Sequence, residues 1–145
     1  MKSSKAIKTH FLNSLIWRGR KVTAEKFFNL ILMNLKQLNA INPIDVFYFS
    51  SLNLRPLVFL MPVKVGSVTY WTPAPISNHK RRLYAIKFIL QSARDSRGSV
   101  TVGRISALLN SIYFANKNPA SEKKFALYKE AMDNRAFIRK LRRIL

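Results

Sequence analysis

The chain has 145 residues, and its 26 lysines and arginines against six carboxylates give a formal net charge of +20. This length allows one domain with one core, and a hydrophobic content of 48% excludes a disordered basic tail. The absence of cysteine excludes disulfides and thiolate metal sites. Because a compact body with this charge repels itself unless a polyanion neutralises it, nucleic acid is the favoured partner.

Two amphipathic helices are predicted in the first third of the chain. Apolar residues at positions 7, 11, 12, 15 and 16 form a helical stripe between Lys5 and Trp17. The basic cluster Arg18–Lys21 follows and contains a glycine, which is typical of a helix end. Thr23 is predicted to cap the second helix, which runs to Leu38 with a wide apolar face.

The third predicted helix lacks basic residues. Asn42–Pro43 opens it, with the proline in the first turn, and no lysine or arginine occurs from Ile41 to Leu54. In so basic a chain, we expect such a segment either to pack inside or to face another protein, and not to lie on phosphate. Core packing is favoured for its aromatic residues, because these bury large apolar areas.

A protruding β-hairpin arm is predicted at about residues 57–73. Leu57–Val65 and Val68–Thr72 contain many β-branched and aromatic residues, which favour strands, and Gly66–Ser67 favours the turn between them. Prolines at 62, 73 and 75 lack the N–H of a central strand, so the pair must be isolated or at a sheet edge. Because an isolated hairpin is marginal in water, a ligand lying against it would steady this arm.

The fourth predicted helix carries a cationic stripe as well as a core face. Lys80, Lys87 and Arg94 recur at intervals of seven and therefore share one side. The run Lys80–Arg82 lies at the helix N-terminus, whose positive dipole repels cations unless an anion is present. The stripe therefore favours phosphate binding over a merely solvated face. Its core face is predicted to contain Leu83, Ile86, Ile89, Leu90 and Ala93.

Two further helical segments complete the chain. Val102–Phe114 has helical periodicity, and Ala120–Leu145 is predicted as one final stretch. The residues expected to face inward from this stretch are Phe125, Tyr128, Met132 and Phe137. Together the elements predict a mainly α fold, a single domain over residues 1–145 with about six helices and one protruding β-hairpin between the third and fourth.

Residues able to build a catalytic or metal site are scarce. The two histidines, His10 and His79, each stand among cations, and the six acids show no paired spacing. We therefore predict no enzyme, no cofactor, no metal site and no small-molecule substrate. A capping or backbone-contacting role is favoured for His79. No apolar run approaches the length that spans a bilayer, and no membrane partner is predicted.

Five sequence motifs, in this order and spacing, resemble one family. They are FLNSLIWRGRKVTAEK at Phe11–Lys26, NLRPLV at Asn53–Val58, VKVGSVTYWTP at Val63–Pro73, KRRLYAIKFILQSAR at Lys80–Arg94 and MDNRAF at Met132–Phe137. They resemble the seventh protein of the small ribosomal subunit in its bacterial and organellar form. The segment Ile138–Leu145 departs from the family pattern, and what it contacts stays open.

The resemblance implies a structural constituent of the small ribosomal subunit. It implies binding to the 3′ major domain of small-subunit rRNA, support of head assembly, and a position near the exit-site tRNA and the mRNA path. The implied neighbours are the ninth, eleventh and thirteenth proteins of the same subunit. Divergence and composition favour a mitochondrial ribosome, with the bacterial cytoplasm as the alternative.

Basic residues from several segments are expected to contact the rRNA. Phosphate contacts are predicted for Arg20, Lys21, Lys64, Lys80, Arg81, Arg82, Lys87, Arg94, Arg97 and Lys124. Gly66 and Tyr70 are expected to help the hairpin approach the RNA. Such binding reads shape and backbone more than base edges.

Two other classes of function stay open at this point. The fourth and fifth helices could form the helix-turn-helix of a free DNA-binding regulator, but the connection Ser96–Thr101 is longer than the usual tight turn. A membrane-surface protein could use the basic amphipathic termini, but that role leaves the hairpin and the aromatic core helices unexplained.

Overall fold

The computed structural model describes residues 2–39, 41–95 and 102–141. The elements in chain order are α1 (Lys2–Leu15), α2 (Lys21–Leu38), α3 (Pro43–Asn53), β1 (Val58–Val65), β2 (Val68–Pro75), α4 (Asn78–Asp95), α5 (Val102–Tyr113), α6 (Pro119–Asp133), a 3-10 turn (Arg135–Phe137) and α7 (Ile138–Leu141). This order confirms the predicted mainly α fold with one hairpin between the third and fourth helices. The predicted contact Arg97 and the tail beyond residue 141 lie outside the described residues.

The hydrophobic core joins the first five helices. Phe11 of α1, Phe28 of α2 and Phe47 of α3 pack with ring centroids 5.2 to 5.7 Å apart. Ile89 of α4 is completely buried, and the same cluster takes in α5. The apolar stripes predicted for these helices are the faces they bury. One prediction for α4 was wrong: Leu83 is 38% exposed.

Local sequence signals explain where α3 begins, but the start of α2 differs from the prediction. The Asn42 side chain accepts a hydrogen bond from the Ile44 N–H at 3.2 Å, and Pro43 occupies the first turn of α3. In contrast, α2 begins at Lys21, so the predicted cap Thr23 lies inside the helix. The chain turns before α2 through two left-handed residues, Arg18 and Gly19. With this tight turn the N-cap is Arg20, and the helix starts three residues earlier than predicted.

The hairpin is a two-stranded antiparallel sheet, as its prolines predicted. Val58 faces Pro75 at the base, Val65 faces Val68 at the tip, and no third strand joins the pair among the described residues. The base is nevertheless well packed: Thr72 is fully buried. Its neighbours there are the C-terminal elements, including α6 and α7. Protein contacts therefore steady the base of the arm and leave its tip exposed.

The predicted final helix is broken into three pieces. The Asn134 N–H and its side-chain amide both donate to the Glu130 carbonyl, which ends α6. The expectation that Phe125 and Met132 face inward was wrong, because they are 65% and 66% exposed. The buried residues of α6 are instead small: Ala120 and Ala131. Small residues permit close helix approach, so the packed side of α6 is not its most apolar one.

Candidate nucleic-acid interface

The cationic stripe of α4 belongs to a helix that packs against α1. Lys80, Lys87 and Arg94 are all exposed. The first and last of them are 14 positions apart, which at a rise of 1.5 Å per residue is about 21 Å. We call this surface the α1–α4 face and define it by His10, Arg20, His79, Lys80, Arg81, Arg82, Lys87 and Arg94.

At the C-terminal end of α4, two predicted phosphate contacts come together. Arg20 and Arg94 line one open cavity of 350 Å³, with Trp17 and Leu90 on its walls. Trp17 is 71% exposed, and the Arg18 guanidinium lies over its ring at 5.9 Å. The fold thus brings together Arg20 and Arg94, which are 74 positions apart in the chain. They lie beside the exposed ring of Trp17, to which the sequence analysis assigned no role.

At the N-terminal end of α4, the two histidines meet. The rings of His10 and His79 are edge to face, with centroids 4.8 Å apart. Burial, the charge of His79 and the charge of Arg82 lower the pKa of His10 below its ordinary value. The prediction of a capping role for His79 did not anticipate this contact, since His10 lies on a different helix.

Two of the predicted arginines are partly buried at this end of α4. Arg81 Nε donates to the Ile76 carbonyl at 3.1 Å, which fixes the chain as it leaves β2. Arg82 Nε is buried without a hydrogen-bond partner. Lys80 lies over the Phe59 ring of β1 at 5.5 Å and so links the helix to the hairpin. Their remaining donors are available to a ligand.

Arg55 is a cation that the sequence analysis included only within the motif Asn53–Val58. Its Nε and Nη2 atoms are buried without a partner. Burial lowers the pKa of Arg55 most; the Tyr48 hydroxyl opposes this, and the charges of Arg82 and Arg81 lower it further. The sequence does not predict the burial of the Arg55 guanidinium, because that burial depends on α4 packing against the end of α3.

Three of the predicted RNA-contacting residues, Lys64, Gly66 and Tyr70, lie on the hairpin. Lys64 is exposed on β1, opposite Thr69. Gly66 has φ +63°, and no atom lies within 4 Å of where its Cβ would be, so the tip is open to a large partner. Tyr70 packs on Phe137 with centroids 5.1 Å apart, so its ring holds the arm to the C-terminal turn.

Lys124 and Lys21 both contact groups within the protein. Lys124 Nζ donates to the Asn53 carbonyl at 2.6 Å and lies over the Tyr128 ring at 5.8 Å. Burial lowers the pKa of Lys124. Lys21 forms an exposed ion pair with Glu25 at 3.9 Å. The geometry of Lys124 fits a capping role at the end of α3, and its predicted phosphate contact stays a prediction.

Two kinds of feature are absent within residues 2–39, 41–95 and 102–141. No group of three histidines, cysteines or acids there could hold a metal ion. In the same ranges, no helix combines the length and apolar character needed to cross a membrane.

Comparison with known proteins gives one consistent result. A family model described as ribosomal protein S7p/S5e matches residues 1–135. Small ribosomal subunit protein uS7m of Reclinomonas americana is 32% identical over 127 residues, covering 88% of this chain and 79% of that protein. Small ribosomal subunit protein uS7 of Methylobacterium radiotolerans is 32% identical over 130 residues, covering 89% and 82%. The uS7 protein of Petrotoga mobilis is 31% identical over 127 residues, covering 88% and 81%.

Proposed function

The chain belongs to the ribosomal protein S7p/S5e family, and from this premise we propose that its α1–α4 face and hairpin bind the 3′ major domain of small-subunit rRNA. As a member of that family it is a structural, non-enzymatic component of the small ribosomal subunit and acts in translation. The ribosome and its rRNA are its partners. Neither a free DNA-binding regulator nor a membrane-surface protein is therefore proposed.

The observation that carries this proposal is the set of cations on α4 and the cation that the fold adds at the end of that helix. α4 holds five cations, and Arg20 from the turn after α1 joins them at Arg94. Of the described acids, Asp95 pairs with Lys123 of α6 and Glu122 pairs with Lys117, both outside the face. Uncompensated charge of this kind is stabilised by a polyanion. Exposed Trp17 adds a ring on which an unpaired base could stack.

The remaining positions in the ribosome are also proposals. The open tip at Gly66 is suited to reach toward the exit-site tRNA and the mRNA path, while the packed base holds the arm in place. Binding at the head supports its assembly next to the ninth, eleventh and thirteenth proteins. A mitochondrial ribosome is the proposed setting, since one relative is the uS7m protein of Reclinomonas americana.

The salt dependence of rRNA binding tests the proposal. In the triple variant Lys80→Gln, Arg81→Gln, Arg82→Gln, the slope of log affinity against log salt should fall by about two to three units, because each lost phosphate contact removes somewhat less than one. Affinity for a 3′ major domain fragment should fall at every salt concentration. Circular dichroism of the variant checks that the chain remains folded.

The matched control removes three exposed cations outside the face. Lys36→Gln, Lys117→Gln, Lys129→Gln has the same change in net charge, and these residues lie on α2, the α5–α6 loop and α6. A folded triple variant of the α1–α4 face with the same slope as this control would refute the assignment of the face. A weaker slope in the face variant alone would support it.

A further inference from the structure

Five basic side chains converge between α1, the end of α3 and the first turn of α4. We call His10, Arg55, His79, Arg81 and Arg82 the Arg55 cluster. Arg82 acts electrostatically on both His10 and Arg55, so the two ends of the cluster are coupled through it. Arg55 is half-buried, so its guanidinium lies between the core and the surface.

The cluster has donors without acceptors. Arg55 Nε and Nη2 and Arg82 Nε are buried and make no hydrogen bond. Buried polar atoms in folded proteins are almost always paired, and a buried charge normally has a counter-charge. The charges that act on Arg55 and His10 include no carboxylate among the described residues. Such a group of forked donors fits an anion with several acceptor oxygens, and a phosphate matches it.

We propose that Arg55 and Arg82, together with His10, hold one phosphate group of the bound rRNA, and that His10 takes up a proton when that phosphate binds. This inference rests on the proposed rRNA-binding function and adds a site below the exposed stripe of α4. The exposed stripe supplies general attraction to the backbone. The Arg55 cluster fixes one phosphate by bidentate geometry, which a lone lysine cannot provide.

The proton uptake follows from the groups that surround His10. His79 and Arg82 of α4 face His10, and burial together with their charges disfavours its protonation in the free protein. Arg82 also acts on Arg55 at the end of α3. On α1 itself, Lys8 is turned toward α2, with its Nζ 5.6 Å from the centroid of the Phe28 ring. A bound phosphate reverses the local charge, so the imidazole gains a proton and donates to it. Binding should therefore strengthen as pH falls from 7.5 to 6.

The decisive variant is Arg55→Gln, because the inference gives it opposite effects on two measurements. Removing an unpartnered buried charge should raise the thermal midpoint of the free protein, since repulsion and desolvation are relieved. The same change should weaken binding of the 3′ major domain fragment about tenfold, since a bidentate phosphate contact is lost. A purely structural arginine would lower the midpoint and leave RNA affinity unchanged, which would overturn the inference.

Inorganic phosphate is a second probe that does not depend on RNA. At equal ionic strength, phosphate in place of chloride should raise the thermal midpoint of the wild-type chain by linkage. The Arg55→Gln and His10→Gln variants should lose most of that rise, and the exposed control Lys36→Gln should keep it. Equal rises in all four proteins would show that phosphate acts elsewhere and would refute the site.

The pH dependence of RNA binding separates this inference from the proposed function. Wild-type affinity should increase from pH 7.5 to 6 with a slope of up to about one proton. His10→Gln should flatten this dependence, and the exposed control Lys36→Gln should keep it. If the double variant Lys87→Gln, Arg94→Gln weakens binding but Arg55→Gln and His10→Gln bind like wild type, the phosphate site at Arg55 is refuted. The assignment of the α1–α4 face to rRNA is then still supported. If none of these variants changes binding, the proposed function fails with it.

Discussion

Helices α3 and α4 bury similar apolar faces and have opposite outer surfaces. α3 buries Val46 and Phe47, and α4 buries Ile86 and Ile89. Outside, α3 has no lysine or arginine and exposes Ile44 and Phe49, whereas α4 carries five cations. The buried faces therefore show only that both helices belong to the core. The outer faces divide the molecule into one surface for a polyanion and one without that capacity.

This difference shows where the net charge of the chain is useful. A charge of +20 spread evenly would attract nucleic acid without orientation. Six of the 26 lysines and arginines lie on the α1–α4 face and none lies on α3, so the two helices present different charges to a partner. The Arg55 cluster lies where the end of α3 meets α4.

The largest expected effect tests whether the inner faces are equivalent. Phe47→Ala in α3 and Ile89→Ala in α4 should each lower the free energy of unfolding by about 2 to 5 kcal/mol, because both leave a cavity in the shared core. Urea denaturation followed by circular dichroism measures this. A loss below about 1 kcal/mol for either variant would mean that its helix is not part of the common core.

The next effect tests whether the outer faces differ. Lys87→Gln, Arg94→Gln should weaken rRNA binding and lower the salt slope by about one to two units, with little change in thermal midpoint. The matched α3 variant, Ile44→Gln, Phe49→Gln, should bind rRNA like wild type. Filter binding at several salt concentrations compares the two. Equal losses in both variants would remove the contrast between the helices.

A smaller effect concerns the hairpin tip. Gly66→Ala should lower the free energy of unfolding by about 1 kcal/mol, since a residue with a Cβ disfavours positive φ. Gly103→Ala in α5 is the matched control: nothing lies within 4 Å of its added Cβ, its φ is not positive, and helix propensity favours alanine. Thermal unfolding should therefore separate the two glycines, and a loss at Gly103 as large as that at Gly66 would contradict the turn argument.

The smallest expected effect is a pH dependence of the free protein. The folded state lowers the pKa of His10 below 6.5, so below that pH the unfolded chain binds the extra proton first. The contribution of neutral His10 to stability is thus present above pH 6.5 and is lost as pH falls through the folded value. The thermal midpoint should drop about 1 °C more in wild type than in His10→Gln between pH 7.5 and 5.5. An equal drop in both would show that His10 does not titrate as described.

Local patterns in the sequence determined the element order of this protein. Periodicity placed the five core helices, the prolines and Gly66–Ser67 predicted a two-stranded arm, and the five motifs identified the family. The cationic stripe of α4 also followed from spacing, because residues seven apart in a helix share one side. These features depend on residues that are close together in the chain, so they can be predicted from the sequence directly.

Only the tertiary structure decided which side chains meet across elements. His10 contacts His79, and Lys124 caps the chain at Asn53, and each contact joins segments far apart in the chain. The burial of Arg55 atoms without a partner also depends on packing between elements. The exposure of Phe125 was also decided by the tertiary structure, because α6 packs through its alanines. Burial is a property of two packed surfaces and charge coupling depends on distance in space, so neither can be read from one helix alone.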